Sequence, residues 1–89
     1  MIIRNLQIQN KLGLHARAAS VFVKTAGAFA SQITVRSSQK EANGKSIMSM
    51  MMLEAALGAR IQITVEGDDE TQAMEAIEQL IADKFGENE

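Results

Sequence analysis

Three stretches of the chain alternate apolar and polar residues, which is the period of a β-strand with one buried face. The apolar positions are Ile2, Leu6 and Ile8 near the start, Ile33 and Val35 within residues 31–37, and Ile61, Ile63 and Val65 within residues 60–66. The polar segment over residues 37–46 is typical of a turn, with room for one more short strand around Glu41 and Ala42. The pattern therefore predicts four strands.

Two helices are predicted between these strands. The first spans residues 16–27, and its apolar face repeats at steps of four residues with flanking positions that widen it. This face consists of Ala18, Ala19, Phe22, Val23 and Ala26. The second helix is short and apolar, over residues 46–53, with Ser46 in the position of an N-cap.

A third helix is predicted over residues 67–86, near the end of the chain. Its buried stripe consists of Met74, Ile77 and Ile81, supported by Leu80 and Phe85. We expect the side chain of Asp69 to cap this helix, with Gln72 completing a capping box, and Gly86 to end it. The acidic segment "GENE", residues 86–89, is expected to form a frayed end.

The predicted order of elements is β-α-β-β-α-β-α. This order is typical of an α+β fold in which one antiparallel sheet carries its helices on one face. A chain of 89 residues can bury one modest core, so a single domain over residues 1–89 is predicted.

The composition excludes several kinds of function. The chain has no cysteine and one histidine, which leaves no thiolate site and no ligand set for a metal, and no cofactor is expected. The net charge is −2 and no cluster of Lys or Arg is present, which argues against binding of nucleic acid. The three phenylalanines lie in helical stretches or at their ends, so the strands lack the aromatic residues on which an RNA-binding sheet stacks bases. No apolar run approaches the roughly 20 residues that span a bilayer, and the start of the chain does not resemble a secretory signal. We therefore expect a cytoplasmic protein without membrane insertion.

The only histidine lies in "KLGLHARAAS", directly before the first helix. A lone histidine is most often a surface or helix-terminal residue, but three features favour chemistry at His15. A helix N-terminus presents free N–H groups to an anion, here those of Ala16, Arg17 and Ala18. Its dipole disfavours a protonated imidazole and so favours the nucleophilic form. The guanidinium of Arg17, which could also be a solvated surface charge, matches the geometry of phosphate oxygens.

Together these features predict a histidine that accepts a phosphoryl group and gives it up again. Phosphoryl transfer asks a protein mainly for positioning and charge stabilisation, which two side chains and a helix end can supply. A small domain of this kind would carry the group between partners and would not be an autonomous enzyme. A small-molecule-binding module is the weaker alternative, because no glycine-rich phosphate loop is present.

The short second helix holds four of the six methionines in "IMSMMML". An apolar helix is usually buried, but the helical period divides this one into two faces. Met50 and Leu53 are expected in the core, and Ile47, Met48 and Met51 are expected to be exposed beside the histidine. Methionine adapts to differently shaped surfaces, so these three residues predict a docking site for several partners.

The segments "NKLGLHARAAS" and "NGKSIMSMMML" together resemble the HPr family of phosphocarriers of the bacterial phosphotransferase system, and the resemblance runs over nearly the whole chain. It implies an open-faced β-sandwich of four antiparallel strands covered by three helices. The sequence departs from the family pattern at Ala18, where many members have proline, and at Ser49 and Met50, where glycine and valine are common.

The resemblance also implies partners and roles. Nδ1 of His15 would take the phosphoryl group from enzyme I, which draws on phosphoenolpyruvate, Arg17 would contact it, and a IIA domain would receive it. Ser46 falls on the family's regulatory serine, which an HPr kinase/phosphorylase modifies in some bacteria. Independently of the resemblance, a monomer is expected, because it is the default for a carrier that docks transiently. The alternatives are a nitrogen-branch or other regulatory paralogue, or an adaptor whose phosphorylation state is read by its partners.

Overall fold

The computed structural model describes residues 1–89, which form one four-stranded antiparallel sheet. The strands are β1 (Ile2–Gln7), β2 (Gln32–Ser37), β3 (Lys40–Asn43) and β4 (Arg60–Glu66). The order across the sheet is β1-β4-β2-β3, and every neighbouring pair is antiparallel. The four predicted strands are therefore confirmed.

Three helices cover the sheet: α1 (Ala16–Gly27), α2 (Ile47–Met51) and α3 (Glu70–Ala82). Helix α1 packs against both α2 and α3. The predicted α+β fold, an open sheet with helices on one face, is confirmed. None of these helices is both long enough and apolar enough to cross a bilayer.

The core lies between the helices and the alternating positions of the central strands. Val65 stands opposite Ile2 on one side and Ile33 on the other, and Val35 pairs with Ile63. The predicted apolar face of α1 is buried, with Phe22 fully enclosed, except that Val23 is only partly covered. Helix α1 is thereby fixed on the sheet, and its first residue has a defined place in the fold.

The capping box predicted for α3 is wrong. Asp69 occupies the N-cap position, but its side chain makes no bond to its own helix. Its carboxylate instead accepts hydrogen bonds from the N–H of Ala30 at 2.9 Å, from the N–H of Ser31 at 3.0 Å and from the Ser31 hydroxyl. The Ser31 hydroxyl first, and then the Ala30 N–H, hold the pKa of Asp69 below its ordinary value. Asp69 therefore ties the start of α3 to the segment that follows α1.

Helix α3 ends at Ala82, before the predicted end at Gly86. Lys84 and Phe85 adopt positive φ in a 3₁₀ turn over Lys84–Gly86, and Phe85 enters the core with 3% exposure. A continuous helix would carry residues 86–89 away along its axis, whereas this turn directs them back over the molecule.

Candidate functional site

The loop before α1 is held in place by a buried asparagine and a main-chain contact. Asn10 is fully buried, and its Nδ2 donates to the carbonyl of Gly13 at 2.8 Å. The N–H of Leu14 donates to the carbonyl of Ala55 at 2.9 Å. These bonds fix the chain from Asn10 to Leu14, and with it the position of His15.

Gly13 is the one residue of this loop that cannot carry a side chain. Its φ is +67°, and a Cβ there would overlap the main chain of Ala55 and Ala56. Only glycine combines this conformation with such a close approach. The glycine of "KLGLH" is thus explained by the packing that presents the histidine.

His15 is the N-cap residue of α1 and directly precedes the first helical residue, Ala16, as predicted. Its backbone is extended, and its carbonyl accepts the first helical bond, from the N–H of Ala19 at 2.8 Å. The imidazole does not cap the helix, and its side chain is 29% exposed. The N–H groups of Ala16, Arg17 and Ala18 donate to no group of the chain. The histidine therefore stands at a helix end with three donors free for an anion.

A carboxylate that the sequence analysis missed contacts the imidazole. Nε2 of His15 lies 2.5 Å from Oε2 of Glu87, whose side chain is 12% exposed. The other oxygen of Glu87 accepts from Nδ2 of Asn10 at 2.9 Å. The Asn10 bond is the main cause that lowers the pKa of Glu87, and the His15 contact and the charge of Arg17 act in the same direction. Glu87 is therefore held as a carboxylate.

Residues 86–89 do not form the frayed end that was expected. The N–H of Lys11 donates to the main-chain oxygen of Glu89 at 2.6 Å, and the Lys11 ammonium lies 3.5 Å from the Glu89 carboxylate. With the Asn10–Glu87 bond, these contacts dock the segment on the loop before α1.

An open groove of about 390 Å³ runs between the start of α1 and this segment. It is lined by Lys11, Leu12, His15, Arg17, Gly86, Glu87, Asn88 and Glu89. The exposed side chain of Arg17 makes no hydrogen bond or ion pair within the chain, so its guanidinium is available to a ligand. No group of three or more metal-ligating side chains is present. The groove thus joins an imidazole, a free guanidinium and unpaired N–H groups, a set suited to a phosphoryl group.

Ser46 caps α2, as its position predicted. Its hydroxyl accepts from the N–H of Ser49 at 3.3 Å, and its side chain remains partly accessible. Beyond it, Met50 and Leu53 are in the core, whereas Ile47, Met48 and Met51 are 43%, 72% and 42% exposed. The predicted division of α2 into a buried and an exposed face is confirmed.

Known proteins match the chain in sequence and in fold. The family model described as "PTS HPr component phosphorylation site" matches residues 2–83. The phosphocarrier protein HPr of Neisseria meningitidis is 47% identical over 89 residues, covering 100% of both chains. The crystal structure of HPr-C-His from Thermoanaerobacter tengcongensis matches with a TM-score of 0.95 and 46% identity over 100% of both chains. An HPr dimer from that organism matches with a TM-score of 0.78 and 49% identity, over 92% of this chain and 94% of that one. With this agreement added to the site geometry, the chain belongs to the HPr family of phosphocarriers of the phosphotransferase system.

Proposed function

We propose that His15 accepts a phosphoryl group from enzyme I, which draws on phosphoenolpyruvate, and passes it to a IIA domain for sugar uptake or regulation. One observation carries the proposal: a half-buried imidazole, the unpaired guanidinium of Arg17 and three unpaired N–H groups meet at the start of α1. The groove thus combines the only imidazole of the chain with donors for three phosphoryl oxygens.

The chemistry asks little more of the chain. Nδ1 of His15 forms a bond to phosphorus while the bond from phosphorus to the donor atom breaks, and negative charge is spread over the three equatorial oxygens. The N–H groups of Ala16, Arg17 and Ala18 and the positive end of the α1 dipole stabilise that charge, and the guanidinium of Arg17 can contact two oxygens at once. The same contacts serve the return step, in which the phosphoryl group leaves Nδ1 for the acceptor.

The shape of the site supports a carrier that works with partners. The groove is open, so a partner protein has to exclude water and bring its own reacting group to His15. The exposed face of α2, namely Ile47, Met48 and Met51, supplies an apolar surface on a helix that packs against α1. We propose that enzyme I and the IIA domain both dock there. Residues 1–89 would act as one monomeric domain in the cytoplasm.

The role is tested by incubating the protein with phosphoenolpyruvate and a generic enzyme I. We expect one phosphoryl group per chain, lost on mild acid treatment, because acid lability distinguishes phosphohistidine from phosphoserine. Addition of a IIA domain should remove the group from the carrier. Failure to acquire any acid-labile phosphoryl group would contradict the proposal.

We also propose that Ser46 is a regulatory site for an HPr kinase/phosphorylase, where phosphorylation changes charge more than structure. A phosphate there would lie at the start of α2 and add about −2 of charge beside the exposed apolar face. The Ser46→Asp variant should therefore accept the phosphoryl group from enzyme I about tenfold more slowly than wild type, since a charge must be desolvated on docking. Rapid-quench measurement of single-turnover transfer from enzyme I gives the two rates.

The Ser46→Ala variant is the control for this prediction. It loses the cap, which costs about 1 kcal/mol, without adding charge, so its transfer rate should stay close to wild type. Equal rates for Ser46→Asp and wild type would indicate that Ser46 is only a helix cap.

A further inference from the structure

The contact between His15 and Glu87 joins the imidazole at the nitrogen that the proposed transfer does not use. Glu87 reaches the ring because the chain reverses after α3 and residues 86–89 dock on the loop before α1. Its carboxylate is bound on both sides, by Nδ2 of Asn10 at 2.9 Å and by Nε2 of His15 at 2.5 Å. The side chain of Glu87 is thus held in place by hydrogen bonds on both sides.

The chemistry of the two groups decides where the ring proton lies. An ionised carboxylate only accepts hydrogen bonds, and a neutral imidazole donates from one nitrogen and accepts at the other. Glu87 is held ionised by Asn10, so the ring has to donate from Nε2. The lone pair is then on Nδ1, the nitrogen that faces away from the carboxylate.

We propose that Glu87 is a positioning residue that fixes the tautomer of His15 and stabilises the charge that the ring acquires when it is phosphorylated. This proposal rests on the proposed function and adds a group to it. The role resembles that of any carboxylate that orients a histidine through its second nitrogen, as in triads of hydrolases and in metal sites.

No proton moves between the ring and its surroundings during the transfer. Neutral His15, protonated on Nε2, uses the Nδ1 lone pair to form the bond to phosphorus, and the donor leaves with its own electron pair. The ring is then a cation with its proton still on Nε2, adjacent to the Glu87 carboxylate. On transfer to an acceptor the bond between Nδ1 and phosphorus breaks, and the ring leaves as a neutral imidazole, again protonated on Nε2.

Other charged groups near the ring do not compensate for Glu87. Arg17 is a cation of α1 in the same groove, and it disfavours a positive ring. Lys11 is paired with Glu89 on the docked segment. Glu87 is therefore the one carboxylate in contact with the imidazole, and its loss removes the charged acceptor at Nε2.

The test compares the variant Glu87→Gln with wild type in two measurements. Each oxygen of the Glu87 carboxylate has its own partner, whereas glutamine has a single acceptor oxygen, so Glu87→Gln removes the charge and leaves Asn10 and Nε2 of His15 to compete for one acceptor. We expect single-turnover phosphorylation of Glu87→Gln to be about tenfold slower than wild type, the size expected when a charge-assisted hydrogen bond is lost. The second variant, Glu87→Ala, should be at least as slow.

The second measurement reads the ring directly. Because the chain has one histidine, its ¹⁵N-labelled imidazole gives one pair of nitrogen signals. In the neutral, unphosphorylated wild type these signals should show a proton on Nε2 alone, and in Glu87→Ala they should move towards a mixture of the two tautomers. This result does not depend on any phosphoryl donor.

The matched control is Asp83→Asn, which removes one negative charge at the end of α3 from an exposed side chain outside the groove. Its rate should be within about twofold of wild type, because exposed charges are well screened. Equal rates for wild type and Glu87→Gln, or equal slowing in Asp83→Asn, would overturn the proposal, as would a wild-type ring protonated on Nδ1. If wild type itself accepts no phosphoryl group, the proposed function fails, and the tautomer measurement still decides the role of Glu87.

Discussion

Replacing His15 with alanine is expected to abolish the acceptance of an acid-labile phosphoryl group from phosphoenolpyruvate and enzyme I. The chain has no second imidazole, and the unpaired N–H groups of α1 and the guanidinium of Arg17 stabilise a phosphoryl group without supplying a nucleophile. Loss of a single stabilising contact lowers a transfer rate by about 100-fold or more. Loss of the nucleophile removes the reaction path itself, so the rate of phosphoryl transfer should fall further than that. Transfer of labelled phosphate, followed by mild acid treatment, measures the result.

The fold should tolerate this change. The imidazole makes no cap bond to α1, and its polar contact is with Glu87, which keeps the bond from Asn10, so the free energy of unfolding should fall by no more than about 3 kcal/mol. Thermal unfolding followed by circular dichroism checks this. The matched control is Ser46→Ala, which should retain acid-labile labelling. Acid-labile phosphate on His15→Ala would show that another residue is the acceptor.

Replacing Met48 with aspartate is expected to weaken binding of both enzyme I and a IIA domain. Met48 is 72% exposed, more than Ile47 or Met51 on the same apolar face of α2, and a partner would have to desolvate the new carboxylate there. The Kd for each partner should rise by about 30-fold, the size expected for a central residue of an interface. Calorimetric titration of each partner with the carrier measures the two Kd values. The circular dichroism spectrum of the variant should match that of wild type, because the fold is retained.

The control for this prediction is Ile3→Asp. Ile3 is also an exposed apolar residue, at 47%, but it lies on β1, where it pairs with Thr64 of β4. The same charge is thus introduced on an exposed strand and not on α2, and both affinities should be retained. If Met48→Asp binds both partners as tightly as wild type, the exposed face of α2 is not the docking surface.

The main strands and helices could be predicted because burial of one face places apolar residues at the spacing of a strand or a helix. The alternation of Ile61, Ile63 and Val65 predicted β4 over residues 60–66, and the structure has Arg60–Glu66. The step of four in α1 predicted its buried face, and the helix predicted from residue 16 placed His15 directly before its first turn, as the structure has it. The two faces of α2 followed from the same reasoning, because a short helix on a sheet can bury only one of them.

The contacts of residues 86–89 could not be predicted in this way. Nothing in "GENE" is periodic, and an acidic segment at the end of a helix is usually solvated. Its position depends on the positive φ of Lys84 and Phe85 and on Asn10, a polar residue whose full burial no local pattern indicates. The side chain of Asp69 shows the same limit, since it bonds to Ala30 and Ser31 across the molecule and not to the nearby N–H of its own helix. Long-range polar contacts of this kind are set by the tertiary fold.

Nδ1 of His15, at the start of α1, is the atom expected to receive the phosphoryl group, and ¹⁵N–³¹P coupling in the labelled, phosphorylated protein identifies that atom. We expect one phosphorus signal coupled through one bond to Nδ1, with Nε2 still carrying its proton. Coupling to Nε2, or a phosphorus signal that is coupled to no nitrogen, would contradict it.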